Sequence, residues 1–490
     1  MGGRGQLGHE LDADVFPTIG LAEADRGTSP QSGYGLPTFR SRRSRRLRIA
    51  MIGQKGVPAT FGGIEHHVEE LGARLVERGH EVTVFCRSNY VHQTATEYRG
   101  MRLAQVPTIG TKHLDAFAHS ATSTLAAMRD SYDVIHYHAL GPGLFAFAPR
   151  YASRAKVALT VHGLDHMRAK WGRGAKTVLR TAGWLSARVP DVTVTVSQAL
   201  TDHYAHHYQR RAVYIPNGVA PISPRPRKML ENSLHLNGKG YVLFVGRLVP
   251  EKLPDLLIKA FSRIRGDLHL VFAGGTSFTN DYVQSLRMMA ASDPRIMFTG
   301  YIFGEALAAL YSNASVFVLP SELEGLPLTL LEAAASGTPI VASDIPPHVE
   351  IIADNGPGHR LFRTGDLDAL TLALKRTLAD VDGERRGAAR LRERVLRDYS
   401  WDDAVEATEE VYMNIVGADR PFMSIPSTRK PAQDGGRRVL QVKGADALRL
   451  DEPDEISLDE PDEIRLDEPK GLVGKSSIEE LDRNDTATGT

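Results

Sequence analysis

Cysteine is almost missing from this chain, with one residue, Cys86, in 490. That excludes a disulfide framework and any four-cysteine zinc site, and it favours a reducing compartment, the cytoplasm. No stretch reaches the eighteen or more apolar residues of a membrane span, and the N-terminus is polar and Gly-rich rather than signal-like. Net charge is missing as well, since 59 Lys/Arg balance 59 Asp/Glu. The balance hides an asymmetry: residues 441–490 hold 15 acidic against 6 basic residues, so residues 1–440 carry a net +9. The ordered part should therefore favour anionic ligands or surfaces. What is present is ordinary for globular protein, 42% hydrophobic and 24% charged. At roughly 150 residues per domain, this length fits two domains with tails or about three units.

Residues 1–46 lack hydrophobic periodicity and finish in Arg42, Arg43, Arg45 and Arg46. They read as a disordered arm whose basic end is either a solvated linker or a contact for anionic lipid or nucleic acid. At the other end an eight-residue unit recurs, Arg449-Leu-Asp-Glu-Pro-Asp-Glu-Ile456 and then Ser457-Leu-Asp-Glu-Pro-Asp-Glu-Ile464. Proline in every repeat and dense acidity forbid a packed solenoid, so residues 420–490 read as a disordered acidic tail.

Between these ends β-rich runs alternate with helical patterns, as expected where βαβ crossovers bury a parallel sheet on both faces. Leu47–Ile52, Val82–Phe85 (directly followed by Cys86), Val134–Tyr137, Val157–Val161, Val192–Val196 and Val213–Ile215 form a first set. A second set starts afresh after a polar stretch: Tyr241–Val245, Leu268–Ala273, Ile296–Thr299, Val316–Leu319 and Pro339–Ala342. The expected fold class is α/β, two Rossmann-like doubly wound domains over residues 47–222 and 223–385, with closing helices at 386–419. Ligands of such sheets bind outside the carboxyl ends of the strands, so a cleft between the domains is where chemistry should lie.

Three segments carry candidate chemistry. Gly53-Gln-Lys-Gly56-Val-Pro-Ala-Thr-Phe-Gly62-Gly63-Ile-Glu65 feeds a helix with Val68, Leu71 and Leu75 on one face. Backbone N–H groups at such a helix start suit a phosphate or a sugar hydroxyl, although a tight turn would require Gly62 and Gly63 equally. The spacing is not Gly-x-Gly-x-x-Gly, and no acidic residue closes the second strand, so a nicotinamide dinucleotide site is disfavoured. Arg247 and Lys252 lie five residues apart beyond a strand ending at Val245-Gly246. The pair can neutralise a diphosphate without a metal, or be two solvated cations. Leu319-Pro-Ser-Glu322-Leu-Glu324-Gly325-Leu326-Pro327 leads into a helix containing Glu332 and ending near Gly337 and Pro339. Pro327 suits that helix's first turn. Glu324 and Glu332 can accept hydrogen bonds from vicinal sugar hydroxyls or simply complement a helix N-terminus.

Together these residues resemble the family-4 glycosyltransferases, whose two Rossmann-like domains form the GT-B arrangement; the resemblance covers about residues 47–417. It implies that Glu324 meets the transferred sugar, that Glu332 meets the nucleotide ribose, with Gly325 and Leu326 beside them, and that Arg247 and Lys252 hold the diphosphate. Leu253 departs from the pattern, which often has Gly after the Lys. The Gly53–Glu65 segment, His162-Gly-Leu-Asp165 and Arg168-Ala-Lys-Trp-Gly172 are similar to a bacterial branch that includes rhamnosyltransferases and other surface-polysaccharide enzymes. In that comparison His162 touches the donor sugar; taken alone, a His at a strand end is as well explained structurally.

Residues 166–188 interleave His166, Arg168, Lys170, Arg173, Lys176, Arg180 and Arg188 with Trp171, Leu179, Trp184 and Leu185. They form either a solvated helix face with inward-packed Trp or an interfacial helix on anionic lipid, the second making a lipid-linked glycan the natural acceptor. No nucleic-acid motif accompanies the charges. Ser400 should cap a final helix to Tyr412, which in GT-B enzymes commonly crosses back to the first domain. Asp366-Leu-Asp368 superficially matches a metal motif but is better explained by Asp366 as an N-cap.

The expected activity is transfer of a hexose from a nucleotide-diphosphate sugar to an acceptor hydroxyl, with no cofactor and no metal, and the resemblance implies that the transfer is retaining. A sugar-nucleotide epimerase and a catalytically silent nucleotide-sugar-binding scaffold are the rival readings. The expected setting is the cytoplasm, either free or peripheral at the inner face of the plasma membrane, in cell-surface polysaccharide or glycolipid synthesis.

Overall fold

The computed structural model describes residues 45–417, except for Phe61, Asn89, residues 91–94, 109–114 and 165–172, Met229, residues 231–235, Asn237 and residues 276–279. The expected N-terminal arm up to residue 44, the acidic tail and the Arg168–Gly172 motif fall outside the described residues, as do the side chains of 173–176.

Short runs, most of them Val/Ile-rich, too short for helices and apolar on both faces, form the strands of two sheets. The first contains β1 (Arg48–Ile52), β2 (Glu81–Arg87), β3 (Glu97–Tyr98), β4 (Met101–Val106), β5 (Val134–His138), β6 (Lys156–Val161), β7 (Val192–Thr195) and β8 (Val213–Tyr214). Their order is β3-β4-β2-β1-β5-β6-β7-β8, parallel except for the β3–β4 edge pair. The second sheet has the order β11-β10-β9-β12-β13-β14 and is parallel throughout, built from β9 (Tyr241–Val245), β10 (His269–Ala273), β11 (Ile296–Gly300), β12 (Val316–Leu319), β13 (Ile340–Ser343) and β14 (His359–Phe362). Strands β5, β7, β9, β12 and β13 are buried at every residue.

The topology fixes where ligands belong. In each sheet the chain works outward to one side and then returns to the centre, reversing between β1 and β5 in the first domain and between β9 and β12 in the second. The crevice outside the carboxyl ends at such a switch point is the binding position of open α/β sheets. The segments directly after β1, β9 and β12 are the three motif-bearing segments of the sequence.

The sequence reading placed eleven strands within two residues of their observed ends and missed β3, β4 and β14. Cys86 lies inside β2 and not just after it, fully buried, with its thiol pushed up to about 11 by burial. The helix Gly63–Glu77, α1, buries Val68, Leu71 and Leu75 as its periodicity predicts. Asp366 caps the Leu367–Ala379 helix by accepting from the N–H groups of Asp368 and Ala369 at 3.0 and 2.9 Å, which accounts for the Asp-x-Asp pattern without a metal.

Ser400 caps the closing helix Trp401–Gly417, accepting from the N–H of Asp402 at 3.1 Å. This helix packs on the first domain: Trp401, Val405, Tyr412 and Ile415 share a core with Leu47, Ile49, Met51, Val68 and Leu71. Glu409 accepts from Arg78 at 2.9 Å and meets His80 at 3.1 Å.

Candidate active site

At the first mouth, the turn after β1 must pass close to the end of β5. Gly53 has φ +122°, and a Cβ there would lie 2.3 Å from the carbonyl oxygen of His138, so no other residue fits without movement. The Gly loop is held from α1 by two carboxylates. Glu65 accepts from the Lys55 N–H at 3.1 Å and Glu69 from the Ala59 N–H at 2.6 Å. Those two N–H groups are thus engaged within the protein, and Glu65 brings negative charge to the first turn of α1. This changes the expectation for the loop: a hydroxyl-bearing ligand is better matched than a free anion. Gly62 has φ +114°, and Gly63 faces the side chain of Leu328 in the second domain, 3.6 Å from where a Cβ would stand.

Behind this loop lies a group of imidazoles that the sequence reading recognised only in part. His162, just after β6, is half-buried and packs edge-on to His67 of α1 with ring centroids 4.6 Å apart. Its Nε2 is 3.4 Å from Nδ1 of His138, the last residue of β5. His138 stacks in turn near His136 at 4.1 Å, and His136 meets Tyr412 of the closing helix at 2.5 Å and Thr160 at 2.7 Å. Burial keeps these rings neutral, with His67 pushed down to about 4 and His138 and His162 well below the usual histidine range. His67 and His138 escaped the sequence reading because they come from separate segments that only the sheet order brings together. The spaced pair His136-Tyr-His138 at a strand end was the available signal.

The second mouth is charged. Lys252 forms an ion pair with Glu324, both side chains only 12–13% exposed, and Ser321 donates to the same carboxylate at 2.8 Å. Burial pushes the Glu324 carboxyl up, but Lys252, His348 and Ser321 outweigh it and hold it below the usual range. The Lys252 stem crosses Gly246, while Gly274 leaves room for the Gly246 carbonyl, 1.8 Å from where a Cβ would be. Leu253, the departure from the expected pattern, has φ +48°, the left-handed conformation that Gly adopts without strain. Pro327 is the cap of the Leu328–Ala335 helix, one position before the first turn the sequence suggested, and Leu326 beside it is buried.

Glu332 stands on that helix and accepts from the Tyr311 hydroxyl at 2.8 Å. Burial raises its carboxyl against the opposing effects of His66 and Tyr311. Glu332 lines a cavity of about 220 Å³ with His66, Gly218, Tyr311, Leu328 and Trp401, bringing together both domains and the closing helix. A hollow of about 420 Å³ near Arg48, His80 and Tyr132 lies instead at the amino ends of β1 and β2, away from the switch points.

The two mouths meet. A Cβ on Gly325 would lie 1.9 Å from the His162 carbonyl oxygen, so the loop carrying Glu324 abuts the loop carrying His162. Lys55, another residue absent from the sequence-derived site, sits within electrostatic reach of Arg247 across the cleft; burial first, then Arg87 and Arg247, lower its ammonium against the pull of Glu65. The structure therefore gathers His162, Gly62, Gly63, Arg247, Lys252, Glu324, Gly325, Leu326 and Glu332 at the carboxyl ends of the two sheets.

Comparison with known proteins gives the family. Residues 227–394 match the model of glycosyl transferases group 1, and residues 61–221 match that of glycosyltransferase family 4. The uncharacterized glycosyltransferase MJ1607 of Methanocaldococcus jannaschii is 26% identical over 388 residues, spanning 75% of this chain and 98% of its own. A GDP-mannose-dependent alpha-(1-6)-phosphatidylinositol monomannoside mannosyltransferase of Mycolicibacterium smegmatis is 29% identical over 362 residues, 68% of this chain and 89% of that protein. Among solved structures, Anabaena HepE in complex with UDP-glucose superposes with a TM-score of 0.64 at 18% identity, covering 75% of this chain and all of that one. Fold and matches together make this chain a glycosyltransferase of GT-B fold and family-4-like kind.

Proposed function

We propose that the chain is a retaining, metal-independent hexosyltransferase that uses a nucleotide-diphosphate sugar and acts in cell-surface polysaccharide or glycolipid synthesis, in the manner of the rhamnosyltransferase-like branch. The observation that carries the reading is the buried Lys252–Glu324 pair at the charged mouth, abutting His162 through Gly325. In the transfer, the bond between the sugar's anomeric carbon and the diphosphate breaks while the acceptor oxygen bonds to that carbon from the same face. The acceptor proton passes to a phosphate oxygen that leaves with the nucleotide. Arg247 and Lys252 stabilise the charge growing on the diphosphate, a preorganised term that costs no reorganisation at the moment of reaction. Glu324 and His162 orient the sugar, Glu332 takes the ribose hydroxyls, and Gly62 and Gly63 admit the acceptor.

The GDP-mannose on which one relative depends and the UDP-glucose bound in one structural neighbour support a nucleotide sugar as partner. For a lipid-linked acceptor, the support is the Arg173–Ser186 helix. Trp184 is 49% exposed and Val178 52% exposed, while Leu179 and Ala182 face the core. Arg188 lies 4.3 Å over the Trp184 ring. Trp184 therefore does not pack inward as a plain solvated face would have it, and an aromatic ring beneath an arginine suits an anionic headgroup layer. Among the described residues, no helix is long and apolar enough to cross a membrane.

The test is a thermal-shift screen of the purified chain against nucleoside diphosphates and their sugars without divalent metal, with transfer assays on lipid-linked glycans as the second stage. A shift with one nucleotide sugar, and turnover only with acceptor, is expected. Binding without turnover would favour the silent scaffold, and turnover without acceptor the epimerase.

A further inference from the structure

We infer that His67, His138 and His162 form a binding site for one divalent transition-metal ion of the zinc class at the inner end of the cleft. This goes beyond the transfer reading, which uses His162 alone and places no metal at the diphosphate. One ring nitrogen from each of the three lies within 4.8 Å of the others. Two ligands of a tetrahedral zinc ion bound at about 2.05 Å stand roughly 3.3 Å apart. His138 Nδ1 and His162 Nε2 are already separated by 3.4 Å.

The tautomer of His67 is set from outside the cluster. Its Nδ1 lies 2.7 Å from Oδ1 of Asn217, an acceptor, so Nδ1 carries the hydrogen and Nε2 presents its lone pair. That Nε2 is buried and has no hydrogen-bond partner, and the same holds for Nε2 of His138. Leaving buried polar atoms unpaired costs about 1–3 kcal/mol each, a cost a bound cation would remove at His67. An imidazole oriented by a hydrogen bond from its other nitrogen is the recurrent second support of zinc ligands. Three histidines leave the fourth tetrahedral position open, and His162, the half-buried member, faces the cleft through which water or a ligand would enter. Because the ion would engage His162, zinc would withdraw that ring from the donor sugar.

The test uses the untagged full-length chain, stripped with chelator and titrated with Co²⁺ without substrate. Expected are one tightly held ion per chain, the intense visible absorption of four-coordinate cobalt, and displacement by Zn²⁺. His67→Gln and His138→Gln should each weaken Co²⁺ binding by about 100-fold and Asn217→Ala by about 10-fold. The last substitution leaves all three rings in place should the others fail to fold. His203 and His207, stacked at 4.1 Å on the Gln198–Tyr208 helix, form a separate pair with metal-binding spacing, so His207→Ala serves as the control and should leave the signal intact. Absence of stoichiometric binding, a six-coordinate spectrum, affinity unmoved by Asn217→Ala, or loss of the signal in His207→Ala would each overturn the site. In a transfer assay, Zn²⁺ should raise the donor KM. If cobalt binds as expected but Zn²⁺ leaves KM unchanged, the donor role of His162 fails while the metal site stands.

Discussion

The two mouths that face each other across the cleft solve different problems. The first is lined with neutral, buried imidazoles and a backbone loop pinned by carboxylates, so its polarity is that of lone pairs and N–H groups rather than net charge. The second concentrates charge, with Lys252 and Glu324 buried against one another and Arg247 beyond Gly246. One sheet architecture thus supplies a surface for hydroxyls on one side and for a leaving diphosphate on the other. The division comes from the loops at the carboxyl ends of the strands and not from the strands themselves, whose buried Val and Ile are alike in both domains.

The sharpest way to break this division is Lys252→Met. It removes the cation from the charged mouth and leaves Glu324 buried without its partner, so kcat/KM for the donor should fall by about 10³-fold in steady-state assays. A fall no larger than that of a surface lysine substitution would move the leaving-group role elsewhere. Next, Glu332→Ala should raise the Kd of the nucleoside diphosphate in calorimetry by about 10–100-fold, the value of a hydrogen bond to a charged group. An unchanged Kd would remove Glu332 from the ribose.

In their response to pH the two domains should be unequal, because the first holds the lowered rings of His67, His136, His138 and His162 besides His119; His119 there and His348 in the second domain are each pushed down to about 4 by burial. The unfolded chain takes up their protons near pH 6.5 and the folded chain only near 4, so stability falls as pH drops through that window. At pH 5 each of these two rings should account for about 2 kcal/mol lost relative to neutral pH, read as a falling denaturation midpoint. His119→Gln and His348→Gln should each flatten the curve; a curve as steep as the parent's would mean these rings are protonated when folded. The smallest effect belongs to Leu253→Gly. Relief of the left-handed backbone, about 1–2 kcal/mol, is offset by lost side-chain packing, so urea unfolding should change by less than about 1 kcal/mol. A larger loss would show that Leu253 is held by its packing.

Much of this was legible in the sequence because buried parallel strands are continuous apolar runs and their carboxyl ends are marked by Gly, Pro and charge. β4 was missed because Met101-Arg-Leu-Ala-Gln-Val106 is an edge-side strand of mixed burial with no such run. β14, His359-Arg-Leu-Phe362, hides two polar residues in four. The histidine cluster was illegible for another reason: α1, β5 and the segment just after β6 contribute its rings, and only the order β1-β5-β6 makes them neighbours. Lys55 reaches Arg247 only once the domains face each other, so no local pattern announces it.

The closing helix carries a consequence for synthesis. Trp401, Val405 and Tyr412 complete a core most of whose other members, Leu47 to Leu103, leave the ribosome some three hundred residues earlier. The first domain therefore cannot finish folding in the order in which it is made. It must wait, with that apolar face uncovered, until the whole of the second domain has been translated, and a nascent chain released before residue 401 would leave the face without its cover.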